Sequence, residues 1–116
     1  MKKALEDLIF LGAAEDSVKL YGKMWTLHTL TSGEQLSATN ATGDYDNLSR
    51  INALKIEFVG RALKSIDDIT ISNAIEGLEF VRKLQPAVVN KLYDEYEKLQ
   101  QKQSETLDSL DEIKNS

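Results

Sequence analysis

Hydrophobic positions recur along this 116-residue chain at two different periods, and the changes of period divide it into elements. Leu5, Leu8, Ile9 and Leu11 follow helical spacing and predict a short helix over residues 2–11, closed by Gly12. From residue 17 to 30 the period falls to two. Ser17–Tyr21 and Met24–His28 are rich in β-forming residues and flank Gly22-Lys23, a pair suited to a type II′ hairpin turn. That register sets Tyr21 opposite Met24, Leu20 opposite Trp25 and Val18 opposite Leu27. Val18, Leu20, Trp25 and Leu27 then share an apolar face, with Lys19, Tyr21, Met24, Thr26 and His28 on the other. A lone hairpin is marginal in water, so the apolar face must lie on helices or join a larger sheet.

The helical period returns after Leu30. Ser32 and Gln35 fit a capping box for a short helix ending near Asn40. Asp46 or Asn47 caps a longer one running to about Ser65, with a stripe of Leu48, Ile51, Leu54, Phe58, Ala62 and Ile66. Gly60 within it predicts close approach of a neighbouring element. Asp67–Ile71 crosses to the next helix, which Asn73 and Glu76 cap and which runs to about Leu84. Pro86, the only proline, opens a final helix to about Ile113.

That last helix carries a heptad-like seam: Val89, Leu92, Tyr96, Leu99, Gln103, Thr106, Leu110 and Ile113. Its other faces are charged. At 1.5 Å per residue its roughly 28 residues would extend about 42 Å, well beyond a compact domain of this size. Part of it is therefore expected to project and to meet a partner, with Val89, Leu92, Tyr93, Tyr96, Leu99, Leu110 and Ile113 as the partner-binding candidates. Folding back on its own domain is the competing arrangement. The fold class is mainly α (α+β): a helical domain with one N-terminal β-hairpin and a long C-terminal helix. A single compact domain is expected over residues 1–100, with a polar helical or flexible tail over 101–116.

Composition narrows the function classes. A net charge of −5, with no basic cluster beyond Lys2-Lys3, disfavours nucleic acid as the main ligand. The absence of cysteine removes disulfides, thiolate zinc sites and cysteine nucleophiles. Glu6 and Asp7 interrupt the N-terminal apolar run, which reads as an amphipathic helix rather than a signal peptide, and no stretch is long enough to span a membrane. His28 is the only histidine and reads as a solvated residue on the hairpin's polar face. Asp44 and Asp46 open like a calcium loop, but Arg50 and Lys55 fall where oxygen ligands belong, so helix capping accounts for them better. No Gly-x-Ser-x-Gly, Walker loop or Gly-x-Gly-x-x-Gly is present. The chain is read as a non-enzyme without cofactor or metal. Trp25 reads as core.

The segment Val18-Lys19-Leu20-Tyr21-Gly22-Lys23-Met24-Trp25-Thr26-Leu27-His28-Thr29-Leu30-Thr31, followed by Gly33-Glu34-Gln35-Leu36, resembles the opening of tail assembly chaperones and related tail or baseplate assembly proteins of tailed bacteriophages. The likeness covers about a quarter of the chain directly; many such proteins carry a basic residue where this one has His28. The resemblance implies a non-enzymatic role in the host bacterial cytoplasm during assembly. It implies binding of the tape-measure protein, which keeps its helices soluble, and help for tail-tube subunits polymerising around it. A structural virion subunit of the tail, baseplate or head–tail junction is the first alternative, and a small regulatory protein-binding module the second. Self-association into a homo-oligomer would also cover the seam.

Overall fold

The computed structural model describes the backbone of residues 11–115 and the side chains of residues 11–109. The helix expected over 2–11 falls, but for Leu11, outside the described residues. The chain is α+β and mainly helical, with a four-stranded antiparallel sheet and a long C-terminal helix.

Strands β1 (Glu15–Leu20) and β2 (Lys23–His28) form the expected hairpin with a different turn. Leu20 pairs with Lys23, so the loop is Tyr21-Gly22, with φ of 55° and 75°. Two successive positive φ values make a type I′ turn, whose twist matches that of the strands. Val18 faces Trp25 instead of Leu27, a slide of two residues. Because side chains alternate with period two, every residue keeps its expected face. Trp25 and Leu27 are buried, Val18 and Leu20 pack beside them, and the Trp25 indole donates to the Leu20 carbonyl at 3.0 Å.

The hairpin belongs to a larger sheet. Leu63–Ile66 forms β3 beside β2, and Ile69–Thr70 forms β4 beside β3. Leu63 pairs with Leu27, Ser65 with Thr26 and Ile66 with Trp25, which leaves Lys64 as an extra residue in a bulge. Asp67, at φ 53°, turns the chain into β4; its carboxylate accepts from the Met24 amide and its own amide donates to the Met24 carbonyl.

Helix α1 spans Ser32–Asn40. Its cap is Thr31, not Ser32: the Thr31 hydroxyl accepts from the Glu34 amide at 3.2 Å, and the Glu34 carboxylate accepts from the Thr31 amide at 2.9 Å. Helix α2 (Asn47–Ala62) is capped by Asp46 and stops three residues before the expected end, where pairing with β2 captures the chain. Helix α3 (Ala74–Arg82) is capped by Asn73.

The expected close approach at Gly60 is met by a second glycine. A Cβ on Gly60 would lie 2.7 Å from Leu78 Cδ2, and one on Gly77 would overlap the Gly60 carbonyl oxygen. Helices α2 and α3 thus cross backbone to backbone.

Helix α4 runs unbroken over Pro86–Asn115. Its thirty residues span about 45 Å, close to the molecule's longest dimension of 47 Å. The radius of gyration is 15.5 Å, against about 13 Å for a compact chain of this length. Residues 101–115 therefore continue α4. On the way they meet the start of the described chain: the Gln103 amide donates to the Gly12 carbonyl, and Leu107 packs on Gly12.

Candidate partner-binding surface

The first half of the seam expected to meet a partner is core. Val89, Leu92, Tyr96 and Leu99 are at most 6% exposed and join Trp25, Leu27, Val59, Leu63 and Val81 in one cluster. This corrects their assignment as binding residues. The cause is that α4 packs along α2: Phe58 stacks on Tyr96 and lies against Tyr93, with centroids 5.9 and 6.4 Å apart. Tyr93 is half-buried, with the Lys55 ammonium 5.8 Å from its ring. The side chains of Leu110 and Ile113 lie outside the described residues. Burial pushes the Tyr96 phenol up to about 12; the nearby Tyr93 and Glu34 add to this, and Gln35 pulls weakly the other way. The Tyr96 hydroxyl is buried without a hydrogen-bond partner among the described residues.

The exposed apolar residues lie elsewhere. Leu48 is 79% and Ile51 54% exposed, although both continue the stripe that Phe58 and Ala62 bury further along α2. Contacts of Lys55 with Asn90 and of Phe58 with Tyr93 and Tyr96 show that α2 and α4 run side by side in the same sense. Because α4 begins at Pro86, beside Asn52, the first turn of α2 has no α4 to cover it. Leu36 on α1 and Tyr45 in the α1–α2 loop are exposed as well. Sequence periodicity placed Leu48 and Ile51 in the core; the missing information was the register between two helices 23 residues apart, counted from Ala62 to Pro86 less one. 

Next to that bare turn, an open groove of about 340 Å³ lies between α2, the α3–α4 corner and the start of α4. Ile56, Leu84, Pro86 and Val89 give it an apolar lining. Lys55 and Arg82 bring cations, and Asn52 and Asn90 carboxamides. Arg82 also reaches Glu57, which is buried and held by two guanidinium groups, Arg61 Nη2 at 2.9 Å and Arg82 Nη2 at 3.4 Å. A buried carboxylate without such partners would be strongly unfavourable.

The remaining candidates have structural partners. Asp46 accepts from the Ser49 amide at 2.9 Å, and the bonds from Ser49 hold its carboxyl below the usual range. Arg50, in the stretch where a calcium loop would need ligands, donates to the carbonyls of Thr42 and Gly43 and pins the loop before α2. His28 Nδ1 lies 2.9 Å from the Thr29 carbonyl. Among the described residues, no group of three or more His, Cys, Asp or Glu side chains is placed to hold a metal ion, and no helix is long and apolar enough to cross a membrane. No protein-family model, curated protein or solved structure matches the chain.

Proposed function

We propose that this chain is a non-catalytic protein-binding factor of bacteriophage tail assembly, which holds a helical segment of a tape-measure or tail-tube protein. The observation that carries the protein-binding part is the uncovered first turn of α2. Leu48 and Ile51 expose most of their surface beside a groove with an apolar lining, whereas the α4 seam is buried over Val89–Leu99. Burying one such side chain is worth about 1.5–3 kcal/mol, so a partner covering both gains substantially. The tail-assembly part rests on the resemblance of Val18–Leu36. The buried seam of α4 moves the proposed contact from that helix to α2.

Co-expression with the tape-measure protein of the same virus tests this. The two proteins are expected to co-purify, and the pair Leu48→Ser and Ile51→Ser, both at exposed positions, is expected to abolish co-purification while leaving the chain folded. A tape-measure protein that stays insoluble and unbound in the presence of the folded chain refutes the proposal.

A further inference from the structure

The groove beside Leu48 and Ile51 has a charge character unlike the molecule as a whole. Net charge is −5, yet the groove is lined by two cations, Lys55 and Arg82, and by no carboxylate. Arg61 closes on Glu57 Oε1 at 2.9 Å, whereas Arg82 reaches Oε2 only at 3.4 Å and leaves its side chain 58% exposed. A guanidinium has five N–H donors in a planar fork, and among the described residues only one of those of Arg82 is engaged. The Lys55 ammonium donates to Asn90 Oδ1 at 3.1 Å, a bond to a neutral amide that a carboxylate would improve upon. Ile56, Leu84 and Pro86 line the same groove.

We infer that this groove docks an acidic amphipathic helical segment of a partner protein, seating an apolar side chain on Ile56 and Leu84 and a carboxylate between Lys55 and Arg82. The inference rests on the protein-binding reading above and adds the chemistry of the partner. Leu48 and Ile51, one turn apart on α2, supply the apolar rim that a partner helix lies along, in the helix-in-groove manner. The apolar lining sets this site apart from one for a free inorganic anion. The positive end of the α4 dipole, at Pro86, adds to the attraction for a carboxylate.

The test uses the full chain and three synthetic helical peptides: leucine at heptad a and d positions with glutamate elsewhere, the same peptide with lysine for glutamate, and the acidic peptide with serine for leucine. Fluorescence anisotropy is expected to show the leucine–glutamate peptide binding about tenfold or more tightly than either control. Its addition is expected to shift the backbone amide resonances of Asn52, Lys55 and Asn90. Lys55→Gln with Arg82→Gln should weaken binding about tenfold with an unchanged far-ultraviolet spectrum. If the double variant misfolds, Lys55→Gln alone, which leaves both guanidinium partners of Glu57 in place, is expected to weaken binding severalfold. Equal binding of the acidic and basic peptides, shifts confined to another face, no binding at all, or indifference to the glutamine substitutions overturns the inference. Self-association of the chain that the same substitutions abolish also overturns it, by assigning the groove to a second copy. Co-purification with the tape-measure protein that survives K55Q/R82Q would sink the groove chemistry alone. Peptide binding without co-purification would sink the tail-assembly reading alone.

Discussion

Replacing Gly77 by alanine tests whether α2 and α3 depend on backbone contact. The new methyl group would overlap the Gly60 carbonyl oxygen, and unlike a flexible side-chain tip, a helix carbonyl cannot swing aside. Van der Waals contact needs more than about 3 Å, so α3 must retreat by about 1 Å. Leu78 and Val81, the buried residues of α3, retreat with it. A gap of that size forfeits roughly a quarter to a half of their dispersion contacts, and overpacking of this kind costs about 1–3 kcal/mol or more. Alanine returns about 1 kcal/mol as the better helix former. Taken from the upper part of that range, the net loss is about 1–2 kcal/mol, or roughly 5–8 °C in Tm for a domain of this size.

Urea unfolding followed by the fluorescence of Trp25, the only tryptophan and a buried one, reads this directly. The midpoint should fall with little change in slope. Gly33→Ala is the matched control. It lies in α1, and the nearest atom to its added methyl would be Thr31 Oγ1 at 4.0 Å. There the propensity gain stands alone and stability should hold or rise by about 0.5 kcal/mol. If Gly77→Ala is as stable as the parent, or both variants shift in the same direction, the backbone crossing is not what the two glycines serve.

Three further outcomes follow from local geometry. Thr31→Ala should cost about 1 kcal/mol by removing the capping box, and Ser32→Ala close to nothing; the reverse order in urea titrations would restore Ser32 as the cap. Tyr21→Asn should raise Tm slightly, by about 0.5 kcal/mol of stability, because asparagine tolerates the left-handed φ of 55° that the type I′ turn requires; a loss would show that the Tyr21 side chain contributes more than its strain. Stability should hold up to about pH 10 and fall as pH rises towards 12. The Tyr96 phenol is raised to about 12 in the fold against its ordinary 10, so the stability that its neutral form supplies is full below 10 and lost through 12. Tyr96→Phe removes a buried hydroxyl without a partner among the described residues, and should leave neutral-pH stability level or improved and the alkaline fall shallower; a fall as steep as the parent's would assign it to other groups.

What the residue pattern conveyed, and what it did not, follows from how each element is specified. Capping at Asp46 and Asn73, the start of α4 at Pro86 and the close approach at Gly60 are set by residues within a turn of the feature, and all were legible. The faces of the hairpin were legible even with the wrong turn, since a two-residue slide preserves alternation. Strand β3 was hidden for a specific reason. The bulge at Lys64 turns Leu63 and Ile66 to the same side of the sheet, so an inward pair is spaced by three, the spacing of a helix face. Only the pairing with β2, about 40 residues away in the chain, separates the two interpretations. The same limit governs the candidate surface. A heptad seam specifies that Val89, Leu92, Tyr96 and Leu99 must be covered, but not whether by this chain or another. Leu48 and Ile51 look like core by period and become surface only because α4 starts alongside Asn52. Which apolar residues remain for a partner is therefore decided by where one helix begins against another, a relation between distant segments that periodicity within either helix does not contain.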